Sequence, residues 1–273
     1  MNIFRSFTTN QPILFVICAT VAWFVLVMVF TGIASSALRK PYGDATTGTL
    51  GRLAVMACTL WLVWRLGWLA ASGVTRLGSG PVWLLALGGL IYFASANLYA
   101  FYGKVAFDLS TIARLPDTRA IVLTHIIVSL CEEILFRGLV LYALTRVWGH
   151  TRVGLVGSVL LTGLLFALMH ITQVFTHGIS PASALVLTLQ TFLTSIWWGA
   201  LVLLGGSIWP AVVLHFVVNA VVALQGLAVP MIEPDILAYK RLLWFSIVLG
   251  VLGIGLLVQA VALHPQTMKK VLR

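Results

Sequence analysis

The chain alternates long apolar runs with brief polar punctuation. Cut at its charged or Gly/Pro-rich breaks, it offers eight runs near 11–33, 50–73, 81–101, 119–146, 152–172, 182–205, 207–226 and 240–263. Each reaches the roughly 20 residues that a spanning helix requires. The sixth and seventh are separated only by Gly205-Gly206-Ser207, which demands a short hairpin, and Pro210 marks a first turn or a bend of the seventh. The first run is too long for a secretory signal, although Ala34-Ser35-Ser36-Ala37 mimics a cleavage site, and reads as a retained helix. The polar interval of about 102–118, with Lys104, Asp108, Arg114 and Asp117 among apolar residues, suits a short interfacial helix. The pattern therefore predicts an all-α fold, a polytopic transmembrane helical bundle of about eight spanning helices enclosing a polar intramembrane cavity. It forms a single integral membrane domain over 1–273 with a polar-motif core at 119–226.

Composition agrees and narrows the classes. Of 273 residues, 60% are hydrophobic and 9% charged, with a mean hydropathy of +1.05, too little charge to clothe a soluble surface. The net charge of +10 would suggest nucleic acid if the cations formed a face, but they lie singly or in pairs such as Arg39-Lys40, Lys240-Arg241 and Lys269-Lys270. Lipid headgroups are the expected partner, and nucleic acid is not. The positive residues divide almost evenly between the two sides, so orientation and oligomeric state stay open. Cys18, Cys58 and Cys131 show neither metal spacing nor an even count.

The acids locate the chemistry. Asp44, Asp108, Asp117, Glu233 and Asp235 fall in loops, leaving Glu132 and Glu133 at membrane depth. Adjacent intramembrane carboxylates are costly and mark a functional site. Glu133 stands four residues before Arg137, the favourable order for an intrahelical ion pair, while Glu132 points about 100° away with Phe136 at its own fourth position. His125, His170 and His215 also lie in apolar runs, and His215 shares a helix face with Asn219 one turn on. At 1.5 Å per residue, Glu132 lies about 21 Å from Arg146, His170 about 27 Å from Arg152, and His215 and Asn219 about 12 and 18 Å from Ser207. All four reach the middle of the bilayer, within a spread of about 15 Å that tilt must absorb.

Glu132-Glu133-Ile-Leu-Phe-Arg137, Phe166-Ala-Leu-Met-His170 and His215-Phe-Val-Val-Asn219 resemble, in order, the EExxxR, FxxxH and HxxxN signatures of the CAAX protease and bacteriocin-processing (CPBP) family, which includes type II CAAX prenyl endopeptidases. The resemblance spans about 130–220 and implies an intramembrane peptidase in which Glu132 and His170 activate water. It assigns oxyanion stabilisation to His215 and Asn219, with Glu133, Arg137 and Phe166 in support. A carboxylate in a low-dielectric cavity can serve as base near neutral pH, and imidazole and amide N–H groups can serve as oxyanion donors. The implied substrate is a membrane-associated peptide or protein, whether a prenylated CAAX-type C-terminus or another. Glu132, His170 and His215 would also make a zinc site with an open position, but HExxH is absent and a carboxylate-activated water accounts for the same residues, so the preferred mechanism requires no cofactor.

Two rivals stand beside this reading. A non-catalytic membrane partner or bacteriocin-immunity factor would keep the motifs without cleavage, and a proton-coupled carrier would use Glu132 and His170 as a relay. Among remaining residues, His125 reads as packing or a positioning group, Cys131 as a small packing residue, and Asn97 and Gln190 as helix-to-helix glue. Arg65 is expected to be shielded by its neighbouring aromatics, and Trp197 and Trp198 to line a lipid-facing groove.

Overall fold

The computed structural model describes residues 2–41, 45–102, 118–176, 178–228 and 236–263. A short helix α1 (Asn2–Asn10), not anticipated from the sequence, precedes α2 (Pro12–Leu38), α3 (Ala45–Arg65) and α4 (Gly80–Tyr102). Next come α5 (Thr118–Glu133), a π-helical stretch (Ile134–Leu141) and α6 (Tyr142–Trp148). Then follow α7 (Arg152–Leu168) with a 3₁₀ turn (Met169–Thr172), α8 (Gln173–Thr176), α9 (Pro181–Gly205), α10 (Trp209–Ala228) and α11 (Ile236–Ala262). Among the described residues each of the eight apolar runs is wholly or largely helical. Six of them form, among the described residues, helices long and apolar enough to cross a membrane; Trp209–Leu224 is a shorter apolar helix, and the run at 119–146 is interrupted by the π stretch. The chain is an integral, multi-pass membrane protein of all-α architecture. The interfacial helix expected near 102–118 falls almost wholly on 103–117, outside the described residues.

The helix ends follow local chemistry. Thr151 and Ser180 accept from the backbone N–H groups of Gly154 and Ser183, capping α7 and α9, and Pro181 starts α9 where its missing N–H costs nothing. Gly206, at φ 62°, ends α9 and makes the expected hairpin, and Pro210 lies in the first turn of α10. The second run stops earlier than its predicted end at 73. Gly67 takes φ 75°, its N–H donates to the Trp64 carbonyl, and the Trp68 N–H donates to that of Val63. That is a Schellman stop, and it turns the chain into an irregular segment, 66–79, folded over one end of the bundle. Trp68 is buried there against Tyr142, with their ring centroids 5.1 Å apart, and Trp209 Nε1 donates to the Val74 carbonyl at 2.9 Å.

Lipid supplies no hydrogen bonds, so the hydroxyls inside the helices satisfy themselves: Thr20, Thr59, Thr145, Thr188 and Ser246 each donate to the carbonyl four residues back. Helix α9 is the centre of the bundle, with 67% of its most apolar window buried against 28–39% for the other spanning helices. Small residues let neighbours close on it. A Cβ on Gly253 of α11 would come within 2.7 Å of the Trp197 backbone, and one on Gly89 of α4 would strike the Trp197 ring. Trp197 and Trp198 are accordingly buried, at 3% and 4% exposure, rather than lining a lipid-facing groove. Asn97 donates to the Phe93 carbonyl one turn back, and Gln190 accepts from the Thr191 hydroxyl beside it.

Candidate active site

Among the described residues Glu132 and Glu133 are the only acids, and they end α5 where it enters the π stretch. Their environments differ sharply. Glu133 is fully buried and its Oε1 accepts twice, from the Arg137 guanidinium at 3.1 Å and from His215 Nδ1 at 2.9 Å. Its equally buried Oε2 has no partner. Glu132 keeps 18% of its side chain exposed, and its Oε2 lies 3.7 Å from His215 Nε2, just beyond hydrogen-bond distance. One imidazole from α10 thus stands between the two carboxylates. Because an ionised carboxylate only accepts, Nδ1 carries the proton toward Glu133, which leaves Nε2 facing Glu132.

Arg137 is the hub beneath them. It is 1% exposed; a second terminal nitrogen donates to Ser195 Oγ of α9 at 2.7 Å, and the guanidinium plane lies 4.5 Å from the Phe166 ring centroid and 5.3 Å from that of Trp198. Salt bridge, hydroxyl and two aromatic faces use the planar, delocalised character that Arg has and Lys lacks. A narrow cleft beside Arg137 is lined by Ser72, Leu141, Tyr142, Thr145 and Gly206, and Glu132 is not among its lining residues.

Phe166 organises the histidines. Its ring meets His170 edge-on at 5.0 Å and His215 at 5.9 Å, and Trp198 lies tilted by 33° over His215 at 5.0 Å. These contacts fix both imidazole planes without using a nitrogen. The helix of Phe166 tightens into the 3₁₀ turn at Met169, and His170 Nδ1 donates to the Phe166 carbonyl at 3.1 Å. A carbonyl cannot donate, so neutral His170 holds its proton on Nδ1 and presents Nε2 as an acceptor. His170 is within electrostatic reach of Glu132 and of His215. Asn219, half-buried, lies one turn beyond His215 on α10.

The structure therefore gathers Glu132, Glu133, Arg137, Phe166, His170 and His215 into one cluster, with Asn219 beside it on the same helix. Trp198, expected in a lipid-facing groove, belongs to that cluster, and so does Ser195, which the sequence reading missed; the polar series Thr188, Gln190, Thr191, Thr194 and Ser195 in an otherwise apolar helix was the signal for it. His125 and Cys131 lie on the α5 side. The His125 Nδ1 is buried without a partner, and Cys131 Sγ donates to the Arg52 carbonyl at 3.4 Å. Among the described residues no set of three His, Cys, Asp or Glu side chains is arranged to hold a metal ion. His215 and His170 each commit Nδ1, to Glu133 and to the Phe166 carbonyl, which leaves Nε2 as the remaining ring nitrogen of each.

Among known families, residues 115–221 match the Rce1-like model, described as type II CAAX prenyl endopeptidase Rce1-like. No curated protein and no solved structure matches the chain.

Proposed function

From the match of residues 115–221 to the Rce1-like type II CAAX prenyl endopeptidases, consistent with the CAAX protease family and with a peptidase, we propose an intramembrane endopeptidase that hydrolyses its substrate with a Glu132- and His170-activated water. The observation that carries the reading is the unequal treatment of two neighbouring carboxylates. Glu133 is consumed by structure, whereas Glu132 is left partly exposed, opposite His215 Nε2 and within reach of His170.

In the proposed reaction Glu132 takes a proton from water as the oxygen attacks the scissile carbonyl carbon, and His170 Nε2 holds that water by accepting its second hydrogen. The carbonyl becomes a tetrahedral oxyanion. Asn219 donates to it in every protonation state, and His215 Nε2 joins when it bears a proton. The proton on Glu132 then passes to the departing amine, the C–N bond breaks, and acid and amine products leave. Asn219→Ala should lower kcat by about 10²-fold with little change in KM, since an oxyanion donor acts in the transition state.

The direct test is the purified full chain in liposomes with a peptide bearing an S-farnesylated Cys before three apolar residues, the products identified by mass. Cleavage that survives a chelator is expected. Stoichiometric zinc, with activity lost to chelator and restored by zinc, would overturn the metal-free mechanism. Unprenylated membrane peptides serve as the comparison that defines the substrate class. A motif-bearing non-catalytic partner would bind them and release no product.

A further inference from the structure

The end of the bundle closed by residues 66–79 carries cations that the mechanism leaves unused. Arg76 and Arg146 both act electrostatically on the Tyr142 hydroxyl, so two guanidinium groups flank one residue of α6. Arg146 is exposed and lies 5.4 Å from the centroid of the Trp68 ring, which itself packs on Tyr142. Arg76 is half-buried, and its Nε donates to the Ala70 carbonyl at 2.6 Å. Arg65 ends α3 and Arg152 begins α7 at the same end of the bundle. Among the described residues the only acids are Glu132 and Glu133, which lie at the junction of α5 and the π stretch. The described surface at this end is therefore positive.

The fold itself holds Arg76 in place. The Arg76 carbonyl accepts from the Ser207 hydroxyl and the Gly73 carbonyl from the Ile208 N–H, while Trp83 and Trp209 donate their indole N–H groups to the Leu77 and Val74 carbonyls. Indoles that anchor a segment in this way belong at the level of lipid headgroups. Beside Arg76 lies a shallow, open depression of about 400 Å³ lined by Leu77, Gly78, Ser79, Gly205 and Gly206, within the size range of ligand sites. Gly206 also lines the narrow cleft at Tyr142, which joins the depression to the residue between the two arginines. An apolar strip continues from its rim. Leu77 is 71% exposed, and Leu84 and Ile91, seven residues apart on one face of α4, are exposed below it.

We propose that Arg76 and Arg146 form a binding site for the phosphate of an anionic phospholipid, with the headgroup in the depression and an acyl chain along Leu84 and Ile91. Guanidinium groups match phosphate oxygens with paired N–H donors. Because the segment bearing Arg76 is already tied to the α9–α10 hairpin, binding orders little further chain. Inorganic phosphate satisfies the arginines but leaves the apolar strip unused, so the lipid is the stronger ligand. The site stands apart from Glu132 and does not depend on the peptidase reading.

The test uses the purified full chain in nonionic detergent and phospholipids with dibrominated acyl chains, whose binding quenches tryptophan fluorescence. Phosphatidylglycerol should bind about tenfold or more tightly than phosphatidylcholine, and excess inorganic phosphate should not displace it. The preference should collapse toward one in the Arg76→Gln/Arg146→Gln double variant and persist in Arg241→Gln, at the opposite end of the bundle. Because the ratio of the two lipids is read within each variant, a general loss of folded protein does not mimic the effect. If the double variant does not fold, Arg146→Gln alone, on an exposed position, should lower the ratio several-fold. Equal binding of the two lipids by the wild type overturns the site, as does an equal loss of preference in Arg241→Gln. Displacement by inorganic phosphate would make the ligand a free anion and overturn the lipid assignment.

Discussion

Glu132→Ala is expected to reduce peptide cleavage by about 10³-fold or more while the protein unfolds at an unchanged temperature. Both halves follow from geometry. The Glu132 carboxylate is partly exposed, its Oε2 lies 3.7 Å from His215 Nε2, and among the described residues it holds no hydrogen bond. Its removal therefore withdraws the base and leaves the packing alone. Steady-state cleavage in liposomes together with thermal unfolding in detergent separates the two effects. A fully active Glu132→Ala protein would sink the proposed mechanism, and a proton-coupled carrier would then be judged by transport rather than hydrolysis.

Arg137→Ala should do the reverse and cost about 3–5 kcal/mol of stability, because it leaves the fully buried Glu133 carboxylate without its cation. The same side chain releases Ser195 Oγ and the faces of Phe166 and Trp198, so α5, α7 and α9 lose a common anchor. Arg137→Lys should recover little, since one ammonium cannot serve Glu133, Ser195 and two aromatic faces at once. Thermal unfolding of the detergent-solubilised variants is the measurement. A midpoint equal to wild type would mean that the buried pair is dispensable and that Glu133 finds water.

These contrasting outcomes for adjacent acids were half legible beforehand. Four-residue spacing on a helix marks Glu133 and Arg137 as partners from sequence alone, and that pair forms even though Arg137 lies within the π stretch. Spacing along one helix says nothing of another, however. Counting depth from the helix ends left His215 and the carboxylates many ångströms apart, because wide turns and helix tilt change the rise per residue. In the structure His215 stands between both acids. The eight apolar runs were read from hydropathy, while the early stop at Gly67 needed attention to a single glycine amid tryptophans. Trp198 was misjudged for a physical reason. Aromatic residues at membrane depth look alike whether they face lipid or stack on an arginine, and only the crossing of α9 through the centre decides between them.

The π stretch also constrains chain length. A wide turn holds an extra residue relative to an α-helix, so Thr118–Glu133 and Tyr142–Trp148 are offset by about 100° from where an uninterrupted helix would leave them. Tyr142 is pinned by Trp68 and Glu133 by His215, so the offset is fixed at both ends. Deleting one residue between Ile134 and Leu141 outside the motif would let the stretch close into a regular helix and swing the acid pair away from His215. Such a chain would still spell out every signature residue, yet its acids would face the wrong neighbours. Intact letters are therefore an insufficient sign of an intact site, and an alignment gap in this stretch is as informative as a lost glutamate.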